Sequence, residues 1–396
     1  MTLLDITITI ILILIGLNLG KLYRGFDKRE QKWLRLLFLF HFGITIVFSF
    51  YISSNGGDAI KYWNLPKLAT FQEVWNLVVT RRASSFIYFI NYFPSNVLSL
   101  SFFTGNLIYS VVGFLGFVYI FKIVKQLFID YDSLLKVKFF GVPLFPWILF
   151  LPNLHFWSSG IGKDAILFFC CIAFFYGFLN LKKRFKLLLV VSLLTLIIRP
   201  HIAVFLFGAI TVAYLIDGRL KGYQKLFFFL VFLVGLFTMA DYLLVFIQIE
   251  NFEITTLENF ANNRALDLSK GRTESSIDVS SYPFILKVFT FLYRPLFFDI
   301  IGVLAILSSI ENLILILFTL KIIFSKPFLG FKKGHFVTKA MPIFFLIGTL
   351  SFSLILGNLG IMLRQKNMLF PIFIVFGLWV IYSNSKYTLD EDSNRN

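Results

Sequence analysis

The sequence predicts an all-α polytopic membrane protein with about eleven spanning helices. Apolar residues make up 58% of the 396 residues and charged residues only 15%, whereas a soluble domain is about 45–50% apolar and about 25% charged. The mean hydropathy is +0.82. Apolar runs of about 17–25 residues, the length needed to cross a bilayer, recur between short basic loops. A membrane protein with several spans is therefore expected.

The net charge of +16 indicates membrane topology rather than nucleic-acid binding. Most lysines and arginines fall in short loops between apolar runs, and such loops face the cytoplasm and its anionic lipids. When these loops are placed inside, both long polar segments fall outside. The predicted topology has the N-terminus outside and the C-terminus in the cytoplasm.

The spans follow from these rules in chain order. They are about residues 3–19, 36–52, 103–121, 139–151, 164–181, 187–198, 202–216, 226–247, 300–324, 340–356 and 369–381. Together they form one integral membrane domain, residues 1–385, followed by an acidic cytoplasmic tail, residues 386–396.

Three parts of this layout depart from simple spans. External segments at about residues 53–101 and 248–299 are expected to carry aromatic, interfacial helices. The span at 139–151 is short and contains two prolines, so a broken or tilted helix is expected there. The ninth span either fills 300–324 or starts near Ile310. The second reading is slightly preferred and moves Glu311 to the outer surface.

The polar residues that interrupt the hydrocarbon lie at or just below the external face. Basic residues there are the reverse of the positive-inside pattern, and intramembrane charges have partners. A lipid-linked diphosphate is one suitable partner, because arginine binds phosphate oxygens through two parallel hydrogen bonds. Protein acids or lipid headgroups are the alternative. The residues are Asp58, Lys61, Tyr62, Arg81, Arg82, His155, Lys163, Asp164, Arg199, His201, Arg294, Arg364 and Lys366.

Candidate acid–base residues lie in two of these segments. Asp58 follows two glycines and could accept a proton from an attacking hydroxyl, or it could simply cap an interfacial helix. His155 could be a base, a phosphate donor or a buried hydrogen-bonding residue. Asp164 could serve only as a helix N-terminal acid. The GIGK run that ends at Lys163 lacks the spacing of a nucleotide phosphate loop, and that interpretation is rejected.

Arg199 gives the sharpest signal. It stands with Pro200 and His201 between two short spans, where a cation has no ordinary structural reason to be. Arg364 follows, since Gly357 and Gly360 let the backbone bend before it. The four histidines lack metal-ligand spacing and the two adjacent cysteines look like packing residues, so neither a metal nor another cofactor is expected.

Five stretches together resemble one family. They are GGDAIKYW (56–63), PNLHFWSSGIGKD (152–164), RPH (199–201), YRPLFFD (293–299) and NLGIMLRQKN (358–367). In layout the chain is similar to bacterial exopolysaccharide and O-antigen repeat-unit polymerases. These resemble, in turn, the membrane glycosyltransferases that use polyprenyl-phosphate sugars. The likeness covers most of the chain and rests on few residues.

The resemblance implies a glycosyltransferase in the inner membrane of a bacterium that acts outside the cytoplasm on polyprenyl-linked glycans. A hydroxyl of one lipid-linked glycan would attack the anomeric carbon of another, and polyprenyl diphosphate would leave. Asp58 would be the base, with His155 as the alternate. The diphosphate would be bound by Lys163, Arg199, Arg294 and Arg364, and the supporting residues would be Tyr62, Asp164, His201 and Glu311.

Other functions stay open. Only one acid follows Gly57, where transferases that use polyprenyl-phosphate sugars have a pair, so that reaction ranks second. A lipid-glycan flippase or other transporter needs polar residues through the bilayer, but several spans are almost purely apolar. A non-catalytic scaffold would not need external cations at four places. The expected partners are the bilayer, the lipid-linked glycan and other polysaccharide-assembly proteins, and nucleic acid is excluded.

Overall fold

The computed structural model describes residues 2–80, 84–128, 131–139, 141–217, 221–238, 277, 279, 281–300 and 302–393. Helices dominate the regular structure of these ranges, which confirms the all-α class. Six helices within them are long and apolar enough to cross a membrane: Leu3–Leu22, Lys28–Asn55, Phe102–Leu127, Val303–Phe324, Phe336–Ile355 and Leu359–Ser385. A chain with several membrane helices is thus supported, while the larger span count stays a prediction.

The described helices are numbered in chain order. They are α1 (Leu3–Leu22), α2 (Lys28–Asn55), α3 (Asp58–Leu68), α4 (Phe71–Val79), α5 (Ser85–Tyr92), α6 (Phe102–Leu127), α7 (Tyr131–Lys136), α8 (Leu144–Trp147), α9 (Pro152–Phe156), α10 (Lys163–Phe178), α11 (Leu181–Ile198), α12 (Pro200–Ile216), α13 (Gly222–Thr238), α14 (Phe284–Tyr293), α15 (Val303–Phe324), α16 (Pro327–Lys333), α17 (Phe336–Ile355) and α18 (Leu359–Ser393). The chain divides into two compact units. The first is Met1–Gln126 with Pro146–Ile198, and the second is Leu127–Phe145 with Arg199–Asn396.

The first unit is built around α6, most of which is buried. Its small residues let neighbouring rings come close, as is usual where membrane helices pack. A Cβ atom on Gly116 would lie 2.6 Å from the ring of Phe168 on α10. The start of α2 packs near the C-terminal end of α6. There α2 begins with a capping box, in which Asp27 and Glu30 each accept the other's backbone N–H. Lys125 of α6 then pairs with Glu30 at 2.7 Å.

The segment predicted to be the first external one, about residues 53–101, is largely helical, as predicted. It contains α3, α4, α5 and a short π-helix, Phe93–Val97. Thr70 and Glu73 form a capping box that starts α4. Trp75 and Phe71 on this helix are exposed, which is the property expected of a helix that lies in the membrane interface. Arg81 and Arg82 fall outside the described residues.

The predicted span at 139–151 is wrong. Lys138–Phe139 and Val142–Pro143 form a two-stranded antiparallel hairpin with Phe139 opposite Val142. Gly141 makes its turn with a φ of 80°, which favours glycine. The single turn of α8 and a short 3₁₀ helix, Ile148–Phe150, follow. Pro143 and Pro146 lack the N–H groups that a continuous helix would need.

The second unit packs its helices through aromatic contacts. α17 contacts α12, α14 and α18, and α18 also contacts α14 and α15. Phe345 of α17 stacks on Phe373 of α18, with ring centroids 4.2 Å apart. Phe318 of α15 meets Phe373 edge to face. These rings are buried, so aromatic packing supplies much of the core of this unit.

Two predicted boundaries in the second unit are corrected. α15 begins at Val303, so the preferred start near Ile310 is wrong, and Glu311 lies inside the helix and is buried. α18 begins at Leu359, so most of the predicted external turn before residue 369 is helical. The helix also continues through most of the predicted tail, to Ser393. Most of the predicted external segment at 248–299 lies outside the described residues, as does Asp241.

Candidate functional site

In the first unit the start of α3 lies beside the turn that precedes α10. A Cβ atom on Gly162, the residue before α10, would lie 3.8 Å from the ring of Tyr62. Asp58 is the first residue of α3, one turn before Tyr62, and it is exposed. Lys163 is half-buried and Asp164 is buried at the start of α10. This region therefore collects four of the predicted residues.

A buried asparagine that the sequence analysis did not single out holds this turn in place. Asn106 of α6 accepts a hydrogen bond from the Ile161 backbone N–H at 3.0 Å. Its amide nitrogen donates to the hydroxyl of Ser49 on α2, also at 3.0 Å. Nearby, a Cβ atom on Gly105 would lie 2.6 Å from the ring of Trp63. The turn is thus fixed against α2, α3 and α6.

His155 lies in the core of the first unit. It is fully buried, and its Nδ1 lies 2.9 Å from Nδ1 of His41 on α2. Its Nε2 lies 2.7 Å from the carbonyl oxygen of Leu149. Phe117 stacks on its imidazole, with centroids 4.3 Å apart. Of the three interpretations of His155, these surroundings favour a buried hydrogen-bonding residue. A catalytic role for His155 stays a prediction.

Arg199 is the only residue between α11 and α12, and it is 7% exposed. Its Nη1 donates to Oε1 of Gln365 at 2.5 Å and lies 3.6 Å from the sulfur of Met368. Arg364, the neighbour of Gln365 on α18, is half-buried. Two of the predicted diphosphate residues thus lie at the same turn of α18.

Lys366 is buried deeper in the same turn and joins three helices. Its ammonium donates to the carbonyl oxygens of Leu292 and Arg294, at 3.1 and 3.2 Å, and to Oδ1 of Asn312 at 2.9 Å. All three of its donors are therefore used. The buried carboxyl of Glu311 acts on it electrostatically. Glu311, predicted as a supporting residue, lies beside a structural lysine.

Arg294 is already paired with an acid. Its Nε and Nη2 donate to the two carboxylate oxygens of Asp299, at 2.9 and 2.5 Å, and Nη1 lies 3.4 Å from the Tyr282 hydroxyl. The hydrogen bond to Asp299 raises the pKa of Arg294. Burial acts to raise the pKa of Asp299, but hydrogen bonds from Arg294 and the Leu296 N–H hold it below its usual range. Arg294 therefore matches the alternative interpretation, in which a basic residue is neutralised by an acid of the protein instead of by a diphosphate.

Comparison with known families found no matching family model, and comparison with curated proteins and solved structures found no match. The functional argument therefore rests on the chain's own residues. Among those that the structure describes, no group of three or more histidines, cysteines and acids could hold a metal ion.

The predicted residues are divided between the two units. The first holds Asp58, Tyr62, His155, Lys163 and Asp164, and the second holds Arg199, His201, Arg294, Glu311 and Arg364. His201 packs near Phe205 and Phe352, with ring centroids 6.0 and 6.1 Å away.

The sequence analysis gave no role to Gln365, Asn312 or His41. The run RQKN (364–367) was a usable signal, because four consecutive polar residues in an apolar helix must face more than one neighbour.

Proposed function

We propose that this protein polymerises lipid-linked oligosaccharide repeat units by glycosyl transfer outside the cytoplasm. The hydroxyl oxygen of one lipid-linked glycan bonds to the anomeric carbon of a second. The bond between that carbon and the diphosphate oxygen breaks, and polyprenyl diphosphate leaves with the electron pair. A base takes the hydroxyl proton. No nucleotide or metal is part of this scheme.

One observation carries the proposal: three basic residues lie at or against a single turn of α18. Arg364 and Lys366 belong to that turn, and Arg199 donates to Gln365 between them. Arg199 and Lys366 are both buried. Ionisable groups at membrane depth are expensive and usually mark a substrate path. A doubly charged leaving group is a ligand for which such a cluster is suited.

The roles within the cluster follow from how its donors are used. All three N–H donors of Lys366 bind protein acceptors, so we assign Lys366 a structural role at the site. Arg294 is engaged by Asp299, and we assign it likewise. We assign the diphosphate to Arg199 and Arg364, the two arginines at this turn of α18. Asp58 as the base and Lys163 as a further phosphate ligand are carried over from the sequence.

The test is the glycan length profile of a strain of the source organism that lacks this protein. Loss of the protein should leave single repeat units on the lipid carrier and abolish long chains. Arg199→Gln and Arg364→Gln should reproduce that profile at normal membrane levels of the protein. Lys332→Gln is the matched control, because Lys332 is an exposed lysine of α16, and it should restore long chains.

Other profiles would contradict the proposal in different ways. A repeat unit that lacks one sugar indicates the polyprenyl-phosphate-sugar transferase. Complete repeat units that accumulate on the cytoplasmic leaflet indicate a flippase. Chains of normal length in the deletion strain would exclude all three functions.

A further inference from the structure

Asn367 is a buried polar residue whose side chain has no partner in the described part of the chain. It lies on α18 beside Lys366 and is 1% exposed. Neither its amide nitrogen nor its amide oxygen has a hydrogen-bond partner among the residues that the structure describes. The three polar residues before it are engaged or half-exposed, so Asn367 differs from the rest of the RQKN run.

A buried amide in this state destabilises the fold, because it loses its hydrogen bonds to water and gains none. Buried polar groups that have no protein partner are therefore usually explained by a water molecule, a ligand or a functional role. A leucine at this position would fill similar space at no such cost.

Three further hydroxyls share this property on the helices packed against α18. Thr290 of α14 and Thr338 and Thr349 of α17 are buried, and their Oγ1 atoms also lack a partner among the described residues. α14, α17 and α18 all contact one another. The polar groups without partners thus occur on three mutually packed helices.

The helical spacing relates Asn367 to Arg364. Residues three apart lie on the same face of a helix, so Asn367 is one turn further along the face that carries Arg364. Under the proposed function Arg364 binds the diphosphate. The group attached to that diphosphate is a sugar, whose hydroxyls both donate and accept hydrogen bonds.

We propose that Asn367 binds a hydroxyl group, a proposal that rests on the proposed function for its position beside the diphosphate. Both amide atoms lack partners, so the ligand must donate to Oδ1 and accept from Nδ2. A phosphate oxygen only accepts and would leave Oδ1 unsatisfied. A sugar hydroxyl and a water molecule both meet the requirement, and they are the two sources to be distinguished.

The experiment uses Asn367→Leu in the full-length protein, purified in detergent. Its thermal midpoint is measured together with its affinity for two probes, polyprenyl diphosphate and polyprenyl diphosphoglucose. Thr338→Val is the matched control, because Thr338 is also buried with an unpartnered hydroxyl but lies at the opposite end of α17 from Thr349. Arg364→Gln tests the diphosphate separately.

If a sugar hydroxyl is bound, Asn367→Leu weakens binding of the diphosphoglucose at least tenfold and leaves polyprenyl diphosphate within twofold. If water is bound, the variant unfolds several degrees lower and both affinities keep their ratio. A higher thermal midpoint with both affinities unchanged would overturn the proposal. Unchanged affinities of Arg364→Gln for both probes would count against the proposed function instead. In that case the thermal midpoint of Asn367→Leu would still show whether Asn367 binds water.

Discussion

Nδ1 of His41 and Nδ1 of His155 lie 2.9 Å apart in the interior of the first unit. Each Nε2 also lies near a backbone carbonyl, that of Ser110 for His41 and that of Leu149 for His155. Two neutral imidazoles carry two N–H groups between them, so at most two of these three contacts are hydrogen bonds at one time. The pair therefore joins α2, α6 and α9 through side chains that are fully buried.

This pair predicts a strong coupling between two substitutions. His41→Phe should destabilise the protein by about 1–3 kcal/mol, because it leaves a buried imidazole nitrogen without a partner. His155→Phe should act similarly. The double variant should lose clearly less than the sum of the two, since no orphaned nitrogen remains. Thermal unfolding of the three variants in one detergent measures this, and simple additivity would show that the rings do not interact.

At Gly113 of α6, the turn before α10 packs so closely that there is no room for a larger side chain. A Cβ atom there would lie 1.9 Å from the carbonyl oxygen of Ser158, so Gly113→Ala must shift the backbone. We expect a loss of about 1–3 kcal/mol. Gly43→Ala is the control, because a Cβ atom on Gly43 of α2 meets nothing within 4 Å. That control should be neutral or slightly stabilising, and equal losses in both variants would contradict the packing.

The Arg294–Asp299 pair predicts a loss of stability in acid. The pKa of Asp299 is lower in the folded protein than its usual value, which is about 4 in an unfolded chain. Its contribution is therefore complete above pH ~4 and is lost as the pH falls through the lower folded value. Asp299→Asn should cost about 2 kcal/mol at neutral pH and should flatten the acid limb of the stability profile. An unaltered acid limb would show that the pair does not stabilise the fold.

The predicted topology can be tested by cysteine labelling. The two native cysteines are fully buried, so they should give little background. Ser54→Cys, in the last turn of α2, should react with a membrane-impermeant maleimide in intact cells. Lys183→Cys, in the basic start of α11, should react only after permeabilisation. Both positions are exposed, so a reversed pattern would reverse the assigned sides of the membrane.

Apolar length and loop charge were sufficient to predict most of the helices. α1, α6, α12 and α17 lie close to their predicted spans, because a run of apolar residues of that length has few other stable states in a bilayer. The failure at 139–151 came from two prolines and Gly141, whose local backbone preferences outweigh hydropathy. The early start of α18 was missed because its polar residues were interpreted as a turn, although Gln365 and Lys366 have partners on neighbouring segments.

For the candidate residues too, the sequence predicted one part and the packing decided the rest. Sequence alone identified which polar groups are unusual for a membrane chain, since each interrupts hydrocarbon. It could not say which of them already have partners. Arg294 and Arg199 look alike in the sequence, but one donates to a carboxylate and the other to a neutral amide.

The sequence by itself determined that this chain is helical, apolar and suited to a membrane, because composition and hydropathy depend on residue type alone. Only the tertiary structure decided that Arg199 meets Gln365 across 166 positions of chain and that Lys366 bridges three helices. It alone also showed that Asn367 has no hydrogen-bond partner among the residues that the structure describes. Hydrogen bonds depend on which side chains packing brings within about 3 Å of each other, and no local pattern in the chain encodes that distance.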